Sequence, residues 1–378
     1  MSLTARASYR RTVTKRTGAV VIGGGIAGVS VAHELSAHMG VVLVEQEAQL
    51  AHHTTGRSAA AYLETYGSPV VRRLTLASRE ALSPALSPRP LLWIGDADRA
   101  DALATAAEEA RALVPSVRLI DLAEARAMVP VLRSTQAGVA VIEPDAMDID
   151  VAAVHQTFVQ GMRAQGGEIL RSSRVVGIER GGSSWLVTTP SVVIEADIVV
   201  NAAGAWCDEV AAMAGVRSIG LQPLRRTAFT CPAPDGVDVR SWPLVADIDD
   251  RFYFKPEGPQ LLCSLADETP SAPCDAVAEP VDVALAIERI NEATTLDLRH
   301  VRRAWAGLRS FVADRTPVVG FDADAPGFCW LGGQGGYGIQ TAPAMARAAA
   351  GLITTGRLPD DLVALGISAE ALSPARLR

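Results

Sequence analysis

Apolar and polar positions along this chain fall into two rhythms. Short unbroken apolar runs at Ala19–Ile22 and Val41–Val44 read as buried strands, because a strand covered on both faces has no polar side to alternate with. Residues 29–38 continue between them as a helix. Three- and four-residue spacing of apolar positions predicts helices over Pro69–Leu82, 98–113, 121–128 and 150–165; in the last, Val151, Val154, Phe158 and Met162 form one core-facing stripe. Strands are expected at 138–142 and 168–178, in a hairpin (185–189 and 192–195) around Pro190 and Ser191, and at 198–200. Further strands follow at 221–230, 251–254, 261–264, 317–321 and 328–331, with a helix at 283–291 and a segment 301–307 that leads into Leu308-Arg309-Ser310-Phe311. Thr341 reads as the N-cap of a final Ala-rich helix with Pro343 in its first turn, and 83–90, with three prolines, reads as a linker.

This order predicts an α/β fold with a Rossmann-like nucleotide-binding domain of discontinuous segments (18–82, 145–215 and 305–378). A β-sheet-rich α+β domain for substrate takes 83–144 and 216–304. A chain of 378 residues is too long for one ordinary core and suits two interleaved domains. Residues 1–17 carry Arg6, Arg10, Arg11, Lys15 and Arg16 with no acid and read as a disordered tail.

The chemistry concentrates where the first strand meets the first helix. Gly23-Gly24-Gly25-Ile26-Ala27-Gly28 fits G-x-G-x-x-G. Gly23 permits the tight turn, Gly25 lets the backbone approach a pyrophosphate, and Gly28 lets helix and strand close up. The helix N-terminus then offers free N–H groups and partial positive charge. Glu45, twenty residues after Gly25, is placed to accept from both ribose hydroxyls of an adenosine. Small and hydroxyl residues from His52 to Ala61, and Ala203-Gly204 after a buried strand, also allow close approach to a ligand. His52 and His53 are neighbours that point apart with no acid nearby in the sequence, so no metal site is expected.

Composition narrows the class. A net charge of −7 excludes a general nucleic-acid binder. Five cysteines without a C-x-x-C suggest reduced, mostly buried thiols. No apolar run reaches transmembrane length and no secretory h-region is present, so a cytoplasmic protein is expected.

The stretches TTGRSAA (54–60), LSPRP (86–90), NAAGAWCD (201–208), LQPLRR (221–226), WAGLRSFVAD (305–314) and QGGYGIQT (334–341) carry a resemblance. With them, residues 19–374 resemble the FAD-dependent amine and amino-acid oxidoreductases of the D-amino-acid oxidase, glycine oxidase and sarcosine oxidase group, most nearly bacterial D-arginine dehydrogenase. The resemblance implies non-covalent FAD held by Gly23, Gly25, Ala27, Gly28, Glu45, Gln46, Thr54, Thr55, Gly56, Arg57, Ser58, Ala59, Ala60 and Ala61. Val175, Ala203, Gly204, Gly335, Gly336, Tyr337, Gly338, Ile339 and Gln340 complete that set. It places Arg226 and Arg309 on the substrate side with Tyr66, Tyr253 and Gly336. The arginines suit a carboxylate, which Arg meets with two parallel N–H bonds at a charge that does not titrate. Arg225 is the competitor for the role of Arg226, and core packing for the two tyrosines.

The implied reaction takes a D-amino acid to its imino acid by hydride transfer from Cα to flavin N5, then to a 2-oxo acid and ammonia. Alternatives are a 2-hydroxy-acid dehydrogenase, a glycine- or sarcosine-type amine oxidase, and a non-enzymatic FAD-binding protein. The electron acceptor stays open. Three positions depart from the D-arginine pattern: Ala61 stands in place of His, Leu63 of Thr, and Leu91 of the Glu that reads the substrate guanidinium. A neutral or hydrophobic D-amino acid is therefore expected.

Overall fold

The computed structural model describes residues 15–234 and 236–378. The chain opens with β1 (Lys15–Ile22), α1 (Ile26–Ser36) and β2 (Val41–Val44). After β3 (Ala61–Tyr62), α2 (Pro69–Leu82) starts where Ser68 accepts the Val71 N–H and Pro69 takes a position that needs no donor. Next come β4 (Leu86–Pro88), β5 (Leu91–Ile94), α3 (Ala100–Arg111), β6 (Arg118–Asp121) and α4 (Leu122–Met128), the last capped by Asp121. Then follow β7 (Val139–Glu143), β8 (Met147–Ile149) and α5 (Val151–Ala164), capped by Asp150 and burying Val154, Phe158 and Met162. The chain continues through β9 (Glu168–Leu170), β10 (Gly177–Gly181), β11 (Ser184–Thr188), β12 (Val193–Asn201) and α6 (Cys207–Met213). A long β13 (Gln222–Pro232) leads to β14 (Leu244–Asp247), β15 (Tyr253–Glu257), β16 (Gln260–Ser264), β17 (Thr269–Pro270) and α7 (Pro280–Ala293). The last elements are β18 (Arg303–Phe311), β19 (Val318–Phe321), β20 (Phe328–Gly332), α8 (Gly338–Thr355), α9 (Asp360–Ala364) and α10 (Ala369–Leu372).

Among the described residues three sheets form. In the first, β9, β2, β1, β12 and β20 run parallel, with β10, β11 and β19 added antiparallel. Helices α1, α2, α5 and α8 cover one face around Leu35, Met162 and Met345, which explains why Ala19–Ile22 of β1 and all of β2 are apolar. Phe328, Trp330 and Trp185 fill the other face. The second sheet runs β17-β13-β16-β15-β14-β5-β7-β6, with β18 along the other edge of β13. A small third sheet, β3-β8-β4, lies between them in the chain path. The mixed α/β architecture expected from the sequence is the one observed.

Four local expectations are corrected. Residues 168–178 make two strands, because the chain leaves the sheet after Leu170 and Ser173 donates to the Glu45 carbonyl (2.8 Å). The proline-rich 83–90 segment is no free linker: β4 pairs with β8, and Arg89 bonds Asp148 at 2.9 Å and the Trp242 carbonyl at 2.6 Å. Helix α8 begins three residues before Thr341, whose hydroxyl donates to the Tyr337 carbonyl inside the helix. Pro343 therefore sits in the interior, and just beyond it the Ala344 N–H turns to Ser78 of α2 (3.2 Å). Lys15 to Thr17, assigned to the tail, belong to β1 and pair with Ile194 to Ala196; residues 1–14 lie outside the described residues. No helix among the described residues is long and apolar enough to cross a membrane.

Candidate functional site

A continuous cleft runs from the carboxyl ends of β1 and β2 to the inner face of the β13–β18 pair. It encloses about 1640 Å³ including its open mouth. Its lining is continuous from Gly23, Gly25 and Glu45 at one end to Tyr253, Arg226 and Arg309 at the other, an elongated shape that suits a dinucleotide with a small substrate beyond it.

One end is built by the glycine turn. Gly23 has φ +112°, and a Cβ there would lie 2.4 Å from the Ala202 carbonyl oxygen. A Cβ on Gly28 would come within 1.8 Å of the Gly23 carbonyl oxygen, so helix and strand close up only around glycine. The Glu45 carboxylate accepts from the Gly24 N–H (2.6 Å) and the Glu47 N–H (2.8 Å), fixing the acid at the end of β2. His155 of α5 donates through Nε2 to the Gly24 carbonyl (3.0 Å), and burial pushes its pKa down, keeping the ring neutral. α1 begins without a side-chain cap or a first-turn acid, and so does α8. Their N-terminal residues, Ala27 and Gly338, both line the cleft, so two positive helix ends bear on it.

Thr55 accepts the Ile26 N–H (3.0 Å). Thr54 donates to the Leu308 carbonyl (2.8 Å), pinning its loop to β18. Arg57 acts as a strut: it donates to the carbonyls of Ala276 (2.8 Å) and Ala306 (3.0 Å) and pairs with Asp275. The expectation that no acid lies near the histidines is corrected: Glu47, six residues before His53, gathers with His52 and His53, their ligand atoms within 4.8 Å of one another, and Asp275 joins from afar. His53 lies 3.1 Å from Glu47 and His52 lies 3.4 Å from Asp275, which arrives from a loop more than two hundred residues away.

At the other end β13 and β18 pair antiparallel, with Leu224 opposite Arg309 and Arg226 opposite Gly307. Alternation along these strands puts Arg226 and Arg309 on one face and Arg225 on the other. Arg225 is tied to Glu279 (3.2 Å) and Asp282 (2.9 Å), which removes it as the alternative to Arg226 in the cleft. Arg226 donates to the Asp267 carbonyl (2.7 Å) and lies 3.4 Å from Glu268. Burial, and then the charge of Arg309, lower its pKa. Arg309 reaches the Tyr66 hydroxyl at 3.4 Å. Burial works against its charge, and the Tyr66 and Tyr253 oxygens with Glu268 outweigh that, so its pKa is raised. A Cβ on Gly336 would sit 2.9 Å from the Arg309 Nη1, so glycine is what lets the guanidinium lie against this loop.

Of the residues expected at the site, Gly23, Gly25, Ala27, Glu45, Gln46, Thr54, Thr55, Arg57, Ser58, Ala59 and Val175 line the cleft. So do Ala203, Gly204, Arg226, Tyr253, Arg309, Gly335, Gly336, Gly338 and Ile339. Others support it from behind. Gly56 closes onto the Ala51 carbonyl, and the Ala60 carbonyl accepts the Ile149 N–H. Ala61 pairs with Asp148 across β3–β8. Tyr337 precedes α8 with its ring 5.1 Å from that of Tyr66. Gln340 turns away, bonding both the N–H and the carbonyl of Leu63 and the Thr75 hydroxyl (2.8 Å). Leu91, 1% exposed, packs with Ala61, Leu63 and Tyr253 in one apolar cluster behind the wall.

Sequence reading missed Ser310 and Gln334 as site residues. Both line the cleft, and Ser310 Oγ and Gln334 Nε2 are buried without a hydrogen-bond partner among the described residues. Two orphaned polar atoms in the wall are what a polar ligand would satisfy. Both lie inside stretches already singled out, WAGLRSFVAD and QGGYGIQT. His155 carried no local signal.

A family model described as "DAO: FAD dependent oxidoreductase" matches residues 19–352. "FAD-dependent oxidoreductase domain-containing protein 1" from Bos taurus is 33% identical over 184 residues, which is 43% of this chain and 37% of that protein. Mitochondrial sarcosine dehydrogenase from Mus musculus is 23% identical across 92% of this chain and 41% of its own. The chain thus spans about two fifths of the curated relatives it matches. Among solved structures, L-proline dehydrogenase from P. horikoshii superposes with a TM-score of 0.83 at 22% identity, covering 96% of this chain and 98% of that one. Glycine oxidase from Geobacillus kaustophilus gives 0.79 at 21%, covering 90% and 95%. These two likenesses establish the shared fold.

Proposed function

This chain belongs to the DAO family of FAD-dependent oxidoreductases, and within it we propose that it oxidises the Cα–N bond of a D-amino acid with a neutral or apolar side chain. FAD is the cofactor, and the cleft fits it: two uncapped helix ends, Glu45 and the orphaned Ser310 and Gln334 atoms answer its charged and polar parts. Bound FAD supplies the acceptor for the pair of electrons that leaves the substrate.

The observation that carries the reading is Arg309. A guanidinium deep in a cleft, against a glycine and the Tyr66 hydroxyl and in no ion pair among the described residues, is prepared for a carboxylate from outside. Arg226 adds positive charge from the same face of the β13–β18 pair. These residues bind and orient, and Tyr66 and Tyr253 add hydroxyls beside the carboxylate, with the apolar Leu91 cluster packed behind Tyr253. The substrate loses two electrons and two protons to become an imino acid, which water converts to a 2-oxo acid and ammonia. The D configuration is supported by the resemblance of TTGRSAA, LQPLRR and QGGYGIQT to bacterial D-arginine dehydrogenase. The choice of a neutral side chain is supported by the departures from the D-arginine pattern at Leu91, Ala61 and Leu63. Sarcosine dehydrogenase, glycine oxidase and iminodiacetate oxidase among the similar proteins are in keeping with amine substrates.

An anaerobic screen of D- and L-amino acids, N-methyl amino acids and 2-hydroxy acids, following loss of flavin absorbance, tests the reading. Rapid bleaching by D-Leu, D-Met or D-Phe is expected. Bleaching by 2-hydroxy acids alone, or by L-amino acids alone, would overturn it.

A further inference from the structure

Glu143 is a buried acid that the proposed reaction does not use. It ends β7 at 2% exposure and forms no ion pair among the described residues. A carboxyl taken out of water without a cation is costly, and burial, with the charge of Glu64, pushes its pKa up. Its side-chain hydrogen bond comes from the Thr65 hydroxyl at 2.6 Å. Thr65 precedes Tyr66, whose hydroxyl faces Arg309.

The segment that carries Tyr66 is tied down in steps. Gln340 of α8 holds both backbone groups of Leu63. Glu64 turns to α2, pairing with Arg79 and accepting from the Tyr62 hydroxyl. Thr65 turns the other way, to Glu143 on the second sheet. Gly67 then leaves the segment with φ +89°. Within these residues the Thr65–Glu143 bond is the hold on Tyr66 from the sheet that also carries Arg309. We propose that Glu143, acting through Thr65, is a positioning residue that fixes the Tyr66 hydroxyl beside Arg309 and so shapes the substrate-carboxylate site. The inference rests on Arg309 as the carboxylate anchor.

The test uses FAD-loaded holoenzyme and benzoate as a carboxylate probe, with Kd from flavin difference spectra and KM and kcat from the best amino acid of the screen. Thr65→Val removes the donor, Thr65→Ser keeps it, and Glu143→Leu removes the acceptor. Thr65→Val should raise Kd for benzoate and KM roughly tenfold, with kcat changed less than about twofold. Thr65→Ser should stay within about twofold of wild type, and Thr65→Val/Tyr66→Phe should be no weaker than Tyr66→Phe alone. Should Glu143→Leu not fold, the two Thr65 variants carry the test. Additive losses, or wild-type affinity in Thr65→Val while Arg309→Lys loses benzoate, would overturn this inference alone. A wild-type enzyme that binds neither benzoate nor any amino acid would overturn the carboxylate reading and the inference together.

Discussion

The Tyr66 hydroxyl lies 3.4 Å from Nη1 of Arg309, and no carboxylate among the described residues forms an ion pair with that guanidinium. The two residues stand 243 positions apart, one in the loop before α2 and the other in β18. A buried charge held by one hydroxyl and by no ion pair marks the place where binding energy is available.

Arg309→Ala is therefore expected to lower kcat/KM by roughly 2–5 kcal/mol in transition-state terms, the scale for truncating one partner of a buried charged pair. Arg309→Lys should keep the flavin and lose the two-pronged fit. Gly336→Ala displaces the same guanidinium and should raise KM. Steady-state kinetics at matched flavin content read all three; near-normal kcat/KM in Arg309→Ala would place the anchor elsewhere.

Specificity follows from Leu91. D-Leu, D-Met or D-Phe should outrun D-Arg, by factors that reflect about 1–3 kcal/mol for each methylene-sized difference. Leu91→Glu should raise D-Arg relative to D-Leu and also lower Tm. Residue 91 is 1% exposed and stands directly opposite Glu143 in the β5–β7 register, so a second acid there is buried beside a like charge. D-Arg as the best substrate of the wild-type protein by tenfold or more would contradict this account.

FAD should be non-covalent. Cys329 lies in β20 at 0% exposure with its thiol pushed up to about 12 by burial, so it stays protonated and unreactive. Acid precipitation should release all the yellow colour; a coloured pellet would show a covalent link.

Gly28→Ala should yield protein with little flavin. Its Cβ would meet the Gly23 carbonyl at 1.8 Å, backbone against backbone, and the pyrophosphate turn cannot form without shifting α1. The ratio of flavin to protein absorbance reads the loss, and a normal ratio would show that the turn tolerates the shift.

Stability should carry a pH signature from Glu143. Its native pKa is raised, by burial first and the charge of Glu64 next, so between its unfolded and native pKa the folded state binds more protons. Its contribution to stability thus falls as pH rises through that window, by about 1.4 kcal/mol for each pH step of one crossed inside it. Glu143→Gln removes this loss, so the Tm of the variant relative to wild type should climb as pH rises above the ordinary carboxylate range. A constant difference would mean that Glu143 does not titrate as described.

Local pattern carried much of this. The ends of Val41–Val44 and Pro69–Leu82 were legible because strand burial on both faces and the Ser68–Pro69 cap are written in adjacent residues. Arg226 and Arg309 were legible as a resemblance, but the choice between Arg225 and Arg226 needed the β13–β18 register. What the sequence hid depends on distant partners. The strand at Leu86–Pro88 exists because β8 lies beside it. Asp275 reaches the histidines through the tertiary path alone. The start of α8 is set by the Gly335–Gly338 turn and by Ser78 of α2, so Thr341 and Pro343 gave a misleading local cap.

The pairing of the chain's early and late parts also sets a timetable for synthesis. The cleft begins at Gly23, yet its second helix end arrives with Gly338, and α8 is the helix that covers α1 and α2. Roughly 300 residues separate them, about 15–60 s of translation. During that interval α5 can cover part of α1, while the sides of α1 and α2 that pack on α8 wait for the end of the chain. The full lining of the cleft, with Gly335, Gly336 and Gly338, thus exists only once β20 and the start of α8 have been made.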